Sequence, residues 1–163
     1  MTERTEKKQA EFDFKICRAT PHHLKYVVEL DERTTGKSKF DYWQDIFERY
    51  GARRIDQRFF LVAEAPNDGG SGILGMIVGE VRGWEFGSEP CGWIFAISVE
   101  PDRRQQGIGE ALFKAMCEEF RNVGIEKVRT MVRRQNTLQM SFFRGEGMMA
   151  GPFIQLEKKL NDG

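Results

Sequence analysis

The feature that most constrains the fold is a strand–loop–helix passage between residues 93 and 120. Residues 93–99 are apolar at every position except Ser98, which is typical of a central strand covered on both faces. A polar connection, residues 101–107, follows this strand. It leads into an amphipathic helix whose apolar side chains recur with a period of about 3.6 residues: Ile108, Ala111, Leu112, Ala115, Met116 and Phe120. A buried strand that passes into such a helix indicates an α/β fold.

The rest of the chain predicts further elements around this passage. Alternating or continuous apolar runs predict five more strands, at residues 12–16, 59–65, 73–82, 128–132 and 154–160. Helical spacing predicts three more helices, at residues 21–28, 40–50 and 136–144. The polar stretch from Asp31 to Lys39 is expected to separate the first two of these helices. The order of elements predicts helices around a mixed sheet.

Length and charge narrow the class of protein. For 163 residues we expect one domain, spanning residues 11–163 after a flexible tail at residues 1–10. The 25 Lys and Arg residues balance the 25 Asp and Glu residues, so the chain lacks the basic excess of a typical polyanion-binding protein. Nucleic acid is therefore not expected as a partner.

The cysteines and the apolar runs indicate the compartment. Cys17, Cys91 and Cys117 lie far apart without a C-x-x-C pair, so no metal site is expected, and their sparse use is typical of a reducing compartment. The first ten residues lack the apolar core of a signal peptide, and no apolar run approaches the roughly 18 residues of a membrane span. We therefore expect a cytoplasmic protein with no membrane segment.

The loop from Arg104 to Gly109 carries the clearest chemical signal. It places unpaired backbone N–H groups and the positive end of a helix dipole directly after a buried strand, which favours binding of a phosphate group. Gly107 and Gly109 let the backbone approach the anion, and Arg103 can add charge. The same residues also suit an ordinary strand–helix connection, so this alternative stays open.

These motifs resemble those of the GNAT N-acetyltransferase family. The family signature, Arg/Gln-x-x-Gly-x-Gly/Ala, is matched by Arg104, Gly107 and Gly109. Residues 94–101 resemble the family's fourth strand, and the family's later helix is matched by Asn136, Phe142, Phe143, Gly147 and Met148. The resemblance covers about residues 12–160 in the order of its elements.

The resemblance implies a mixed, mostly antiparallel central sheet with helices on both faces and with strands four and five splayed apart. The pantetheine arm of acetyl-CoA, the co-substrate, would lie in the gap and bond to the backbone of Ile97 and Val99. Asn136 would contact the cofactor and Phe143 would flank its thiol. The pyrophosphate would be held by the loop residues Arg104, Gln105, Gln106, Gly107, Ile108 and Gly109.

The implied reaction is direct attack of a primary amine, on a small molecule or a peptide, on the thioester of acetyl-CoA. The chain departs from the family at Phe143, where many members carry a tyrosine acid, and at Trp93 and Met131, where some carry a glutamate base. Glu80 is the first candidate for the general base because it interrupts an apolar strand, although a solvated sheet face explains it too. Glu64, Glu100 and unassisted loss of the proton to water are the other candidates.

Two further interpretations concern function and acceptor. The departures leave open an alternative, an acyl-CoA-binding sensor or regulatory module with little catalytic activity. The resemblance also leaves a homodimer open.

Asp31 and Glu32 are candidates to attract a cationic amine, and an acceptor pocket could be lined by Trp43, Tyr50 and Trp84. His22 and His23 are expected to lie on the exposed surface.

Overall fold

The computed structural model describes residues 14–52, 57–65 and 72–161. These residues form two compact units, the first ending at Thr130 and the second beginning at Met131. The predicted tail, Phe12 of the first predicted strand and most of the loop at residues 66–72 lie outside the described residues. One domain over residues 11–163 stays a prediction.

The first unit contains a five-stranded sheet in the order β1-β2-β3-β4-β5. Each neighbouring pair from β1 to β4 is antiparallel, whereas β5 is parallel to β4. The strands are β1 (Lys15–Arg18), β2 (Arg58–Glu64), β3 (Ile73–Arg82), β4 (Cys91–Val99) and β5 (Val128–Arg129). The predicted mixed, mostly antiparallel sheet is therefore confirmed.

Two helices, α1 (Leu24–Thr35) and α2 (Phe40–Ile46), cover one face of this sheet. Their buried side chains join the alternate residues of β2 and β3 that point to the same face. This core contains Val27, Leu30, Trp43, Ile46, Phe60, Val62, Met76 and Val78. Burial of so many apolar side chains supplies most of the driving force for this half of the unit.

The polar stretch after Asp31 does not break the first helix as predicted. α1 continues through Asp31 to Thr35 and ends at Gly36, whose left-handed φ of 76° is typical of a helix C terminus. The reason is that Asp31 is buried and bonded, with its carboxylate accepting from Trp43 Nε1 at 2.9 Å and lying 3.1 Å from Lys39 Nζ. A charge with such partners can lie inside the core.

The third helix, α3 (Ile108–Asn122), packs on the opposite face of the sheet and lies very close to it. A Cβ at Gly92 would lie 2.5 Å from the ring of Phe120, and one at Gly79 would lie 3.0 Å from the same ring. A Cβ at Gly75 would lie 3.0 Å from Leu112 Cδ1. The glycines therefore let the helix approach the strands, and helices on both faces are confirmed.

β4 and β5 separate soon after they meet. They pair only at Gly92↔Val128 and Trp93↔Arg129, although β4 continues to Val99. The hydroxyl of Thr130 donates to the Ile94 carbonyl at 2.8 Å, next to the last paired residues. The fifth strand is thus shorter than the predicted 128–132, and the predicted splay of strands four and five is confirmed.

The described part of the second unit contains one helix, α4 (Thr137–Gly145), close to its predicted bounds. The strand predicted at residues 154–160 is wrong: among the described residues of this unit no strand is formed, and Ile154, Leu156 and Leu160 are 84%, 86% and 90% exposed. Apolar alternation makes a strand only when a backbone ladder and a covered face accompany it, and this segment has neither.

Candidate active site

The loop between β4 and α3 presents backbone N–H groups at a helix N terminus. A 3-10 turn, Pro101–Arg103, follows β4, and Gly107 is the N-cap of α3. The first regular helix bond runs from the Ala111 N–H to the Gly107 carbonyl at 2.9 Å, so the N–H groups of residues 108–110 precede it. None of the described side chains caps this N terminus. The predicted phosphate loop therefore has the expected form.

Two residues of the loop have left-handed backbone conformations. Gln105 has φ 71°, which is uncommon for a residue with a Cβ, and Gly107 has φ 78°. A Cβ at Gly107 would meet no heavy atom within 4 Å. Glycine is therefore favoured at residue 107 by its backbone conformation, and the space before it is open to a ligand.

The loop carries two exposed positive charges, Arg103 and Arg104. Neither forms an ion pair with any of the described residues. Their guanidinium groups add to the partial positive charge of the α3 N terminus. The arrangement suits a diphosphate, which needs hydrogen-bond donors and positive charge together.

An ion pair fixes the start of the loop. Glu100 is bonded to Arg33 of α1 through two nitrogen–oxygen contacts, of which Nε to Oε2 measures 3.3 Å. Its backbone N–H donates to the Leu74 carbonyl at 2.8 Å, and its side chain is only 17% exposed. Glu100, one of the candidate bases, is thus an ion-paired residue that joins α1 to the loop, and its role as a base stays a prediction.

A β-bulge turns the backbone of β4 toward the gap beside β5. Val78 pairs with Ala96 and Gly79 with Ile94, so Phe95 is the extra residue. Before the bulge, the Gly92 N–H points toward the β5 side and donates to the Lys127 carbonyl. After the bulge, the Glu100 N–H points to the opposite side, toward β3, and donates to the Leu74 carbonyl. Because backbone groups alternate between the two edges of a strand, those of Ile97 and Val99 face the side that β5 leaves. This geometry supports their predicted role, and sequence patterning did not reveal the bulge that produces it.

Glu80 lies on β3 between two arginines. Its carboxylate oxygens are 3.8 Å from Arg58 Nε and 3.7 Å from Arg82 Nε, and its side chain is 21% exposed. It pairs across the sheet with Trp93, and the Arg82 guanidinium lies 5.6 Å from the centre of the Trp93 ring. Glu80 is therefore part of an ion-paired group, and its role as a base stays a prediction.

In the second unit, Asn136 caps α4. Its Oδ1 accepts from the Gln139 N–H at 3.0 Å. Phe143 is buried, and its ring centre is 5.1 Å from that of Phe142 in an edge-on contact. The predicted contacts of Asn136 and Phe143 with the cofactor stay predictions.

Several predicted acceptor residues lie elsewhere than expected. Asp31 is buried and bonded, so the expectation that it attracts a cationic amine is wrong. Trp43 is 2% exposed and belongs to the core, whereas Trp84 is 75% exposed and Glu32 is exposed. The side chain of Tyr50 lies outside the described residues.

A second cluster of reactive groups lies apart from this loop. Cys17, His23 and Glu64 come together where β1, the turn before α1 and the end of β2 meet. His23 is 2% exposed, so the expectation of a surface histidine is wrong for this residue, while His22 is exposed as expected. No sequence pattern joins these three residues, because only the strand pairing brings them together.

Sequence comparison connects this geometry to known proteins. The model of a family described as "Acetyltransferase (GNAT) family" matches residues 24–148. The chain is 28% identical, over 103 residues, to a mycothiol acetyltransferase of Kocuria rhizophila. This match covers 63% of the chain but 34% of the relative, so the chain spans about a third of that protein's length.

Solved structures show the same fold. An aminoglycoside N-acetyltransferase, AAC(6')-Iy, in complex with CoA, superposes with a TM-score of 0.77 at 18% identity, over 90% of this chain and 95% of that one. A transcriptional regulator from Bacillus halodurans superposes with a TM-score of 0.73 at 17% identity, over 90% and 99%. No helix in the three described ranges combines the length and apolar character needed to cross a membrane.

Proposed function

The chain belongs to the acetyltransferase (GNAT) family, and from this premise we propose that it transfers an acetyl group from acetyl-CoA to a primary amine. The observation that carries the proposal is the loop Arg104–Gly109, an uncapped helix N terminus at the end of a strand whose edge is open. The loop's left-handed residues, and its exposed arginines, which form no ion pair with the described residues, suit the diphosphate of the cofactor.

The cofactor would lie along the opened edge of β4. The backbone groups of Ile97 and Val99 would bond to the amide groups of the pantetheine arm, as a neighbouring strand would. Residues 104–109 would hold the pyrophosphate. Asn136 and Phe143 would act at the pantetheine arm and the thiol.

The chemistry needs a neutral amine and a place for negative charge. The amine nitrogen attacks the thioester carbonyl, a C–N bond forms, the C–S bond breaks, and CoA leaves as a thiolate that takes up a proton. A backbone N–H on the open edge of β4 would stabilise the oxyanion, and positioning would supply much of the rate. Glu80 is our candidate to remove the ammonium proton through water. Because Phe143 has no proton to give, the departing thiolate takes its proton from solvent.

The acceptor is proposed as a small-molecule or peptide amine. The two named acetyltransferases that resemble the chain are called a mycothiol acetyltransferase and an aminoglycoside N-acetyltransferase, and these names favour a small-molecule acceptor. We also propose a cytoplasmic location, since Cys17, Cys91 and Cys117 form no disulfide. We propose a homodimer as well, which light scattering of the purified protein would test.

A second candidate is a module that binds acyl-CoA as a sensor or regulator. It is favoured by the apolar residues Phe143, Trp93 and Met131 at positions where many family members carry acid–base groups. The likeness to a transcriptional regulator is compatible with it.

One experiment separates the two candidates. Acetyl-CoA binding is measured by calorimetry, and release of free CoA thiol is followed with a panel of small amines and peptides. Binding with amine-dependent thiol release supports the acetyltransferase. Binding without release for any amine supports the sensor, and the absence of binding would contradict both.

A further inference from the structure

Three side chains that can bind a metal lie together in the first unit: Cys17, His23 and Glu64. We call them the thiol–imidazole cluster. The Cys17 Sγ, a His23 ring nitrogen and a Glu64 carboxylate oxygen all lie within 4.8 Å of one another. Cys17 lies on β1, His23 in the 3-10 turn Pro21–His23, and Glu64 at the end of β2. Strand pairing holds two of them in place, since Cys17 pairs with Val62 and Lys15 with Glu64.

The histidine ring is held at both of its nitrogens. Nδ1 accepts the Thr20 N–H at 2.8 Å and lies 3.2 Å from Thr20 Oγ1, while Nε2 donates to Glu64 Oε1. The ring is 3% exposed, so its position is fixed by packing as well. A ring held in this way points Nε2 at the other two members of the cluster.

A fourth donor lies beside the cluster. His22 is exposed, its Nε2 is 3.9 Å from Glu64 Oε1, and its Nδ1 is 2.7 Å from Thr20 Oγ1. The rings of His22 and His23 are 4.1 Å apart between centres. The bond of Nδ1 to Thr20 directs Nε2 of His22 toward the same carboxylate.

The geometry points to a zinc site formed by Cys17 Sγ, His23 Nε2 and Glu64, with His22 Nε2 or water as the fourth ligand. One thiolate, imidazole nitrogens and a carboxylate are the ligands that Zn²⁺ takes in tetrahedral protein sites. The proposed acetyl transfer uses Glu80 as its base and not Glu64, the other candidate base in this cluster, so the site is independent of that function.

Metal binding requires the loss of one proton, the transfer of another and a movement of the Glu64 side chain. The zinc–sulfur bond forms as the Cys17 thiol proton leaves to solvent. The proton on His23 moves from Nε2 to Nδ1. The Thr20 N–H, which donates to Nδ1 at 2.8 Å without metal, then gives up that bond, and Thr20 Oγ1 accepts the new Nδ1–H, as is usual for the second nitrogen of a metal-bound histidine. Glu64, whose side chain is 36% exposed, moves away from Nε2 to admit the ion.

The test uses the full chain, stripped of metal with a chelator and titrated with Co²⁺ as a spectroscopic probe and then with Zn²⁺. We expect one Co²⁺ per chain, a thiolate-to-cobalt charge-transfer band, visible bands of a tetrahedral ion, and displacement by Zn²⁺. Cys17→Ser should abolish the charge-transfer band, and His23→Gln should weaken binding about tenfold or more. Cys117→Ser, which changes a thiol on α3, is the matched control and should leave the spectrum unchanged.

Thermal unfolding shows whether each variant is folded, and so separates loss of the metal site from loss of the fold. Zn²⁺ should raise the melting temperature of the wild-type chain and of Cys117→Ser, but not that of Cys17→Ser, because a ligand that binds the native state stabilises it. The absence of a charge-transfer band in the wild-type chain, or its persistence in Cys17→Ser, would overturn the site and leave a hydrogen-bonded cluster only.

Discussion

Asp31 of α1 and Trp43 of α2 are joined inside the core by a hydrogen bond of 2.9 Å between the carboxylate and the indole N–H. The bond links two helices that a short polar connection separates in sequence. It explains why a residue expected to end the helix, or to attract a substrate, is buried in α1.

Removal of the Asp31 carboxylate should destabilise the protein more than removal of its charge. Asp31→Ala leaves the Trp43 N–H buried without an acceptor and should lower the free energy of unfolding by about 3 kcal/mol. Asp31→Asn keeps an acceptor and should cost about 1 kcal/mol. Urea denaturation measures both values, and equal losses for the two variants would show that the ion pair with Lys39 dominates instead.

The contact between Gly92 and Phe120 should not tolerate a methyl group. Gly92→Ala places a Cβ 2.5 Å from the Phe120 ring. Such overpacking should cost about 1–3 kcal/mol of stability. Phe120→Leu in the same chain should recover part of the loss, and Gly145→Ala, whose Cβ would meet nothing within 4 Å, is the control. A neutral Gly92→Ala would mean that α3 can move away from the sheet freely.

Gly107 offers a matched test of the phosphate loop. Gly107→Leu and Gly36→Leu both place a side chain on a left-handed backbone, with φ of 78° and 76°, and neither Cβ meets a heavy atom within 4 Å. Both variants should therefore lose stability by about 1–2 kcal/mol. Only Gly107→Leu should weaken CoA binding, by roughly tenfold or more in calorimetry. Gly109→Leu should act in the same direction; equal affinities for all three variants would exclude the loop as the pyrophosphate site.

Glu80→Gln tests the proposed base. If Glu80 removes the ammonium proton, the variant should turn over roughly 100-fold more slowly at neutral pH and lose the acid limb of its pH–rate profile. Glu85→Gln is the control, because Glu85 also binds Arg82, at 3.3 Å, and its loss removes a partner of the same arginine. An unchanged profile in Glu80→Gln removes this residue as the base.

The thiol–imidazole cluster should make the metal-free protein sensitive to pH on both sides of neutrality. Burial outweighs the Glu64 hydrogen bond and lowers the pKa of His23 below 6.5, and the His23 hydrogen bond lowers the pKa of Glu64 below 4.5. Both groups bind protons more readily when unfolded, so their stabilisation is present above pH 6.5 and is lost as the pH falls through the lowered pKa values.

The thiol acts in the opposite direction. Because the pKa of Cys17 is raised from 9.0 to about 11, stability should be full below pH 9.0 and fall as the pH rises toward 11. Chemical denaturation in the presence of a chelator should therefore show a plateau between about pH 6.5 and 9. In His23→Gln the decline just below pH 6.5 should be smaller; an identical pH profile in that variant would contradict the assignment.

Most of the helices and strands could be predicted because each is indicated by the apolar pattern of its own residues. The apolar run of β4 and the periodicity of α3 depend on burial of neighbouring residues, and both elements formed close to the predicted bounds. The left-handed Gly107 at the helix start follows from the same local geometry. The motif of the loop could therefore be read from residues 104–109 alone.

Features that depend on distant residues could not be predicted. The extra residue Phe95 is defined only by pairing with β3, and the partners of Asp31 come from α2 and its flank. The segment at residues 154–160 has the alternation of a strand but no ladder. In each case the outcome depends on pairing or contact with residues far away in the chain. The periodicity of a single segment carries no information about such partners.

The three glycines beneath α3 have a bearing on how such a protein could be redesigned. They set the distance between the helix and the strands. Because the helix is rigid, a displacement at these glycines would also move its N terminus. Positions outside the proposed diphosphate loop would thus help to decide where that loop lies. Affinity for a thioester carrier could be tuned from underneath the helix, with every atom that faces the carrier left as it is.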